Sequence, residues 1–164
     1  MTTIDPPDVA IRLATEGDVP ALEACAEAAY SRYVDRMDRE PAAMRADFSG
    51  AVSRGEAIVA VIADKVVGYV VCYGRSGHLH LGNVAVFPDH SGMGIGRLLI
   101  DQVEQQARQL GYPAVDLYTN EVMRENLVMY PRLGYRETQG DGGWFPACLL
   151  HKNPLRQIEV RLAC

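Results

Sequence analysis

The 164-residue sequence lacks any surplus of positive charge: 16 Lys+Arg face 21 Asp+Glu, a formal net charge of −5. A nucleic-acid surface needs a basic face to release counterions from phosphate, so a nucleic-acid partner is not expected. The sequence is also poor in cysteine motifs. Cys25, Cys72, Cys148 and Cys164 form no C-x-x-C pair, and no histidine lies at metal-ligand spacing from any of them. A redox centre or a metal site is therefore not expected. Cys25, Cys72 and Cys148 fall inside apolar stretches, where a small buried thiol is the ordinary reading. No run approaches the about 18 uninterrupted apolar residues of a membrane span. Met1 to Asp8 has neither the basic start nor the apolar segment of a signal peptide. No membrane partner and a reducing cytoplasm are the expectations.

What is present is ordinary globular composition, 48% apolar and 23% charged, with no repeat, linker or low-complexity tract. That length and pattern fit one domain spanning residues 1–164, its core about 9–152 and a tail from 153 to 164. Val9–Ala14 alternates like a strand. Thr15 and Asp18 then form a capping-box pattern, and Val19, Leu22, Ala26 and Ala29 follow at helical spacing, placing a helix to about Tyr33. A second helix is expected over Ala42–Ser53. The β-branched runs Ala57–Ile62 and Val66–Tyr73 read as a hairpin, followed by a strand from His78 to Phe87. A long amphipathic helix covers about Gly94–Leu110, with Leu98, Leu99, Val103, Ala107 and Leu110 on its inner face. A strand at Ala114–Tyr118, a helix at Val122–Leu133 and strands at Tyr135–Thr138 and Phe145–Lys152 complete the order β-α-α-β-β-β-α-β-α-β-β. The class is α/β with mixed strand directions.

The informative segment runs from Val84 to Arg97. A strand ends at Pro88, the turn Ser91-Gly92-Met93-Gly94-Ile95-Gly96 follows, and a helix opens at once. Glycines let successive backbone N–H groups converge on one anion, and the helix start adds unsatisfied donors and the positive end of its dipole. Phosphate or pyrophosphate is the natural guest. A Walker loop is excluded because no Gly-Lys-Ser/Thr ends the turn. A dinucleotide fingerprint from Gly92 would need glycine where Arg97 stands.

The stretch resembles the acetyl-CoA loop of the GNAT superfamily of N-acetyltransferases, through Val86, Pro88, Gly92, Gly94, Ile95 and Gly96. Ser91 departs from it, standing where the family carries Arg or Gln. A second stretch, Asn126-Leu127-Val128-Met129-Tyr130-Pro131-Arg132-Leu133-Gly134-Tyr135, is similar to the family's late helix. The resemblance covers Ile11 to about Lys152. It implies a central, mostly antiparallel twisted sheet with a parallel pair splayed at the cofactor site, flanked by roughly four helices.

The resemblance also implies the chemistry: an acetyl group moves from acetyl-CoA to a primary amine of a small molecule or peptide. No metal takes part. Ser91, Gly92, Met93, Gly94, Ile95, Gly96 and Arg97 would hold the pyrophosphate, while the backbone of Val84, Ala85 and Val86 grips the pantetheine and acetyl carbonyl. Tyr130 would protonate the leaving thiolate. Asn126, four residues earlier on the same helical face, fits either a pantetheine contact or simple capping. His80 lies four residues before Val84, hence on the same strand face, and fits either the base or a half-buried strand histidine. Asp116 and Glu121 are weaker candidates for the base. Tyr30, Tyr33, Met37 and Met44, in the region that sets specificity in this superfamily, could line an acceptor pocket with Asn83 and Tyr118. A homodimer is the expected assembly. Two rival readings remain: a non-catalytic acyl-CoA-binding module, and a nucleotide-binding protein. The overall acidity would favour a cationic acceptor.

Overall fold

The computed structural model describes residues 8–36, 41–75, 77–120, 124–138 and 147–152. Seven strands form one sheet in the order β1-β2-β3-β4-β5-β7-β6. They are β1 (Ala10–Leu13), β2 (Ala57–Ile62), β3 (Lys65–Arg75), β4 (His78–Val86), β5 (Val115–Asn120), β6 (Arg136–Thr138) and β7 (Ala147–Lys152). Every neighbouring pair is antiparallel except β4 and β5. The helices are α1 (Val19–Tyr30), α2 (Phe48–Ser53), α3 (Ile95–Leu110) and α4 (Arg124–Arg132). The expected element order holds throughout.

The local signals act where they were read. The Asp18 carboxylate accepts the Thr15 N–H at 2.7 Å and its hydroxyl at 3.1 Å. Arg12 adds a 2.7 Å ion pair. Hydrogen bonding to Arg12 is the main cause that lowers the Asp18 carboxyl to about 2. The β2–β3 hairpin closes on Ala63 and Asp64, both at positive φ, the two-residue geometry that matches strand twist.

Three boundaries and faces differ from the sequence expectation. The first helix ends at Tyr30, where the chain tightens into a 3-10 segment over Ser31–Arg36. There the Ser31 hydroxyl bonds back to the Ala28 carbonyl, a local bond that competes with helix continuation. The expected second helix is two pieces, a 3-10 turn over Ala42–Arg45 and then α2. Ala46 is extended, and Asp47 caps the new start by accepting the Gly50 N–H. On α3 the inner ridge is Ile95, Leu99, Val103 and Ala107, with Ile100 beside it. Leu98 and Leu110 are 43% and 61% exposed, so they lie on the solvent side. Leu99, Val103 and Ala107 stand on the expected inner face, whereas Leu98 is one residue, or about 100°, off that ridge and Leu110 is the last residue of the helix.

Two cores form on the two sides of the sheet. On one side α3 packs over Ile58, Val70, Leu79, Leu81, Val115 and Leu117, joined by Tyr130 and Tyr135. On the other, Leu22 and Cys25 of α1 and Phe48 of α2 cover Val59, Tyr69, Val71 and Ala85. Burial raises the Cys25 thiol to about 12 and that of Cys72 to about 11, which keeps both protonated and unreactive. The side chains of Cys148 and Cys164 lie outside the described residues, as do residues 153–164.

β4 carries an irregularity that no periodicity revealed. Val71 pairs with Asn83 but Cys72 pairs with Leu81, so Gly82 is the extra residue of a bulge. A Cβ at Gly82 would stand 2.9 Å from the Tyr73 ring. The bulge reverses the side-chain alternation. Leu79 and Leu81 share the α3 side with Val84 and Val86, while Ala85 and Phe87 turn to the α1 side. His80 packs beside Tyr73, also on the α1 side. The expectation that His80 and Val84 share a face is therefore corrected: the inserted residue places them on opposite faces.

Candidate active site

Parallel pairing of β4 with β5 covers only Leu79–Leu81 against Val115–Leu117, although both strands run on. Past Leu81 the two strands part. The Phe87 N–H reaches the Val67 carbonyl on β3. By strand alternation the N–H and C=O of Val84 and Val86 therefore point the other way, into the opening. One Val84 group is already engaged: the Tyr30 hydroxyl donates to its carbonyl at 2.7 Å. This bond ties the last residue of α1 to the open edge. Tyr30→Phe is expected to cost about 1–2 kcal/mol by leaving that carbonyl without a partner. Denaturant unfolding checks this, and unchanged stability would mean the bond contributes nothing.

Below the opening, the turn into α3 has the form expected of an anion cradle. Gly92 and Gly94 have φ near +79° and +80°, where side chains are strained, and a Cβ at either would meet nothing within 4 Å. Gly94 is the N-cap of α3, so the N–H groups of the first turn have no intrahelical acceptor. Arg97 adds an exposed cation there. Ser91 is turned away from this work. Its hydroxyl and its N–H both bond to the Pro88 carbonyl, at 2.8 and 3.1 Å.

These parts face a single cavity of about 620 Å³. Its walls include Val84, Ala85 and Val86 of β4, the turn from Ser91 to Arg97 except Met93, Tyr30 and Tyr33, and Tyr130 of α4. Met93 is instead 43% exposed. Tyr130 is only 3% exposed and packs edge-on against Tyr135. Burial, then the neighbouring Tyr30 and Tyr33, pushes its phenol well above the ordinary range, so it stays protonated. Pro131 sits inside α4 next to it, and Gly134 closes the helix by donating to the Pro131 carbonyl.

Several expected residues stand elsewhere. Met44 is half-buried and outside the lining, and Asn83 is buried under α1 beside the Tyr69 hydroxyl. His80 is buried on the far side of the sheet and does not line the cavity. Its Nδ1 lies 2.8 Å from Asp116 Oδ1. The side chains of Tyr118 and Asn126, and residues Met37 and Glu121, lie outside the described residues.

The lining also holds Ala28, Ala29, Arg32, His90, Ile100 and Met129, which the sequence reading did not assign to the site. Only Met129, adjacent to Tyr130, carried a local signal. Arg32 stacks 4.8 Å above the Tyr33 ring. Among the described residues that line the cavity there is no Asp or Glu. The overall acidity therefore does not extend to these walls, contrary to the expectation of a cation-attracting site.

Residues 21–135 match the model of the acetyltransferase (GNAT) family. The chain belongs to that family. It is 32% identical over 132 residues to human N-acetyltransferase 8B, covering 73% of this chain and 56% of that protein. It spans about half the length of that relative and less of the other curated relatives it matches. Its fold is similar to that of the PaiA N-acetyltransferase of Thermoplasma acidophilum, solved with coenzyme A. The TM-score is 0.78 at 16% identity, over 89% of this chain and 99% of that one. It is similar also to the ribosomal-protein-S18-alanine N-acetyltransferase of Escherichia coli, with a TM-score of 0.69 at 17% identity, over 89% and 94%. Among the described residues no helix is long and apolar enough to cross a membrane.

Proposed function

We propose that the chain is an acetyl-CoA-dependent N-acetyltransferase in which a primary amine attacks the thioester directly and Tyr130 acts as general acid. The observation that carries this reading is the meeting of the glycine turn, the open edge of β4 and the buried Tyr130 on one cavity. The turn fits a pyrophosphate: Gly92 and Gly94 leave space, and first-turn N–H groups with Arg97 supply donors and charge. Ser91 contributes no donor in this arrangement, since both of its groups serve Pro88.

The β4 edge orients the acyl group, and the N–H groups of Val84 and Val86 face the side where the carbonyl oxygen gains charge during attack. Tyr130 donates its proton to sulfur as the C–S bond breaks, so a thiol rather than a thiolate departs. The proton that leaves the amine passes to water at the opening, because His80 is buried on the opposite face and lines no part of the cavity. In the net reaction one amine proton ends on sulfur. Tyr30, Tyr33 and Met129 offer aromatic and apolar walls, which suit the uncharged part of a small-molecule or peptide amine.

The Ser91 arrangement favours one rival, an acyl-CoA-binding module without catalysis. Two assays on the full chain separate the readings. Acetyl-CoA is expected to raise the melting temperature while NAD and ATP do not. With amino acids, polyamines, arylalkylamines and free-N-terminal peptides as acceptors, thiol release is expected with at least one class. Stabilisation by acetyl-CoA with no thiol release across the panel would favour the binding module. Stabilisation by NAD or ATP alone would overturn the cofactor assignment.

A further inference from the structure

The described lining of the cavity carries positive charge at two separate places. His90 and Arg97 flank the glycine turn at the start of α3. Arg32 comes from a different element, the 3-10 segment directly after α1. A run of contacts ties it to the open edge of β4. The Tyr30 hydroxyl donates to the Val84 carbonyl at 2.7 Å, and the Tyr30 and Tyr33 rings lie 6.0 Å apart. The Arg32 guanidinium stacks 4.8 Å above the Tyr33 ring. Tyr30 and Tyr33 both push the Tyr130 phenol upward, so these rings gather around Tyr130.

Arg32 Nη2 also donates to the Tyr33 hydroxyl at 2.8 Å. Stacking and this bond hold the guanidinium in one place while using one of its five N–H groups. Among the described residues no carboxylate lies within ion-pair distance of it.

We propose that Arg32 receives the carboxylate of the acceptor, which makes the acceptor an amino acid with a free carboxylate and an apolar or aromatic side chain. The proposal rests on the reading of the chain as an N-acetyltransferase. A carboxylate matches the planar fork of a guanidinium in a way that a neutral group does not. Ala28, Ala29, Tyr30 and Met129 supply apolar wall beside it for the side chain. A polyamine fits poorly. Its second ammonium would meet the guanidinium, and no Asp or Glu among the described lining residues receives it. A peptide N-terminus carries an amide where the carboxylate would sit, so it forgoes the contact. The same fork would also accept a phosphate of acetyl-CoA, but Arg32 stands after α1 rather than on the glycine turn.

The test compares leucine, methionine and phenylalanine with their carboxamides, in turnover with acetyl-CoA and by calorimetric titration into the full chain saturated with CoA. Rates are expressed per unprotonated amine. Wild type is expected to favour at least one acid over its amide by about tenfold or more in kcat/KM, the size of a charge-assisted hydrogen bond. In Arg32→Gln that ratio should fall to about one, with the loss in the acceptor KM rather than in kcat. Arg32→Lys, which keeps the charge without the planar fork, should restore part of the preference. Arg32→Glu should turn the preference toward the amide. A thermal melt of each variant confirms that it is folded.

Equal kcat/KM for acids and amides in wild type would overturn the proposal while leaving acetyl transfer intact, as would the failure of every acid to bind or react while other amines do. A raised acetyl-CoA KM in Arg32→Gln, with the acid-to-amide ratio unchanged, would assign the arginine to a cosubstrate phosphate instead. Binding of an acid that is lost in Arg32→Gln, without thiol release from any acceptor, would keep the carboxylate site and overturn catalysis.

Discussion

Gly94→Trp is expected to abolish acetyl-CoA binding while the protein stays folded. Gly94 is the N-cap of α3 at φ +80°, and nothing lies within 4 Å of where its Cβ would be. The fold itself therefore resists a side chain only through backbone strain, on the order of 1–2 kcal/mol for a left-handed residue. Binding is different. The space a Trp would fill is the space above the first-turn N–H groups, where a pyrophosphate must approach backbone closely. Loss of that approach should weaken acetyl-CoA by at least about a hundredfold, or about 2.7 kcal/mol. Calorimetric titration beside a thermal melt checks both halves. A folded Gly94→Trp variant that still binds acetyl-CoA tightly would remove the cradle from the account.

The complementary result is expected from Tyr130→Phe: kcat falls by at least about a hundredfold while acetyl-CoA affinity holds, because only the proton donor is removed. The ring's packing on Tyr135 survives the change, so the cavity wall stays in place. The phenol's raised proton affinity keeps it a donor throughout the neutral range. No limb of the pH profile near neutrality should therefore belong to Tyr130. An unchanged kcat in Tyr130→Phe would show that the thiolate leaves without this acid. A loss of acetyl-CoA affinity in step with kcat would make Tyr130 a binding wall instead.

Much of this was legible because it is local. The capping box at Thr15 and Asp18, the hairpin at Ala63-Asp64 and the glycine turn each depend on residues a few positions apart. The order of strands and helices follows from periodicity in the same way. The bulge at Gly82 was not legible, since one inserted residue looks like any strand glycine, yet it moves His80 to the face opposite Val84. The split of the second helix turned on Asp47 offering a better cap than continued helix, a competition that apolar spacing does not register. Arg32 and His90 were missed because they join the cavity only through the packing of α1 and the turn before α3 against β4. Conversely Asn83, placed correctly on β4, faces the α1 core because the bulge had already reset the alternation.

The acidity of the chain does not oppose the proposed anionic cosubstrate at the level of single groups. Backbone N–H groups and Arg97, rather than a lysine cluster, offer the donors, and the described lining of the cavity carries no carboxylate to oppose them.

The most direct test is a single-turnover experiment with excess protein, acetyl-CoA and the fastest acceptor, quenched and read by mass spectrometry. Acetylated amine and free CoA are expected to appear together at one rate, with no acetylated protein formed in between. An acetyl-protein species that forms first and decays into product would contradict direct attack, and bound acetyl-CoA that persists unreacted beside every amine would contradict catalysis.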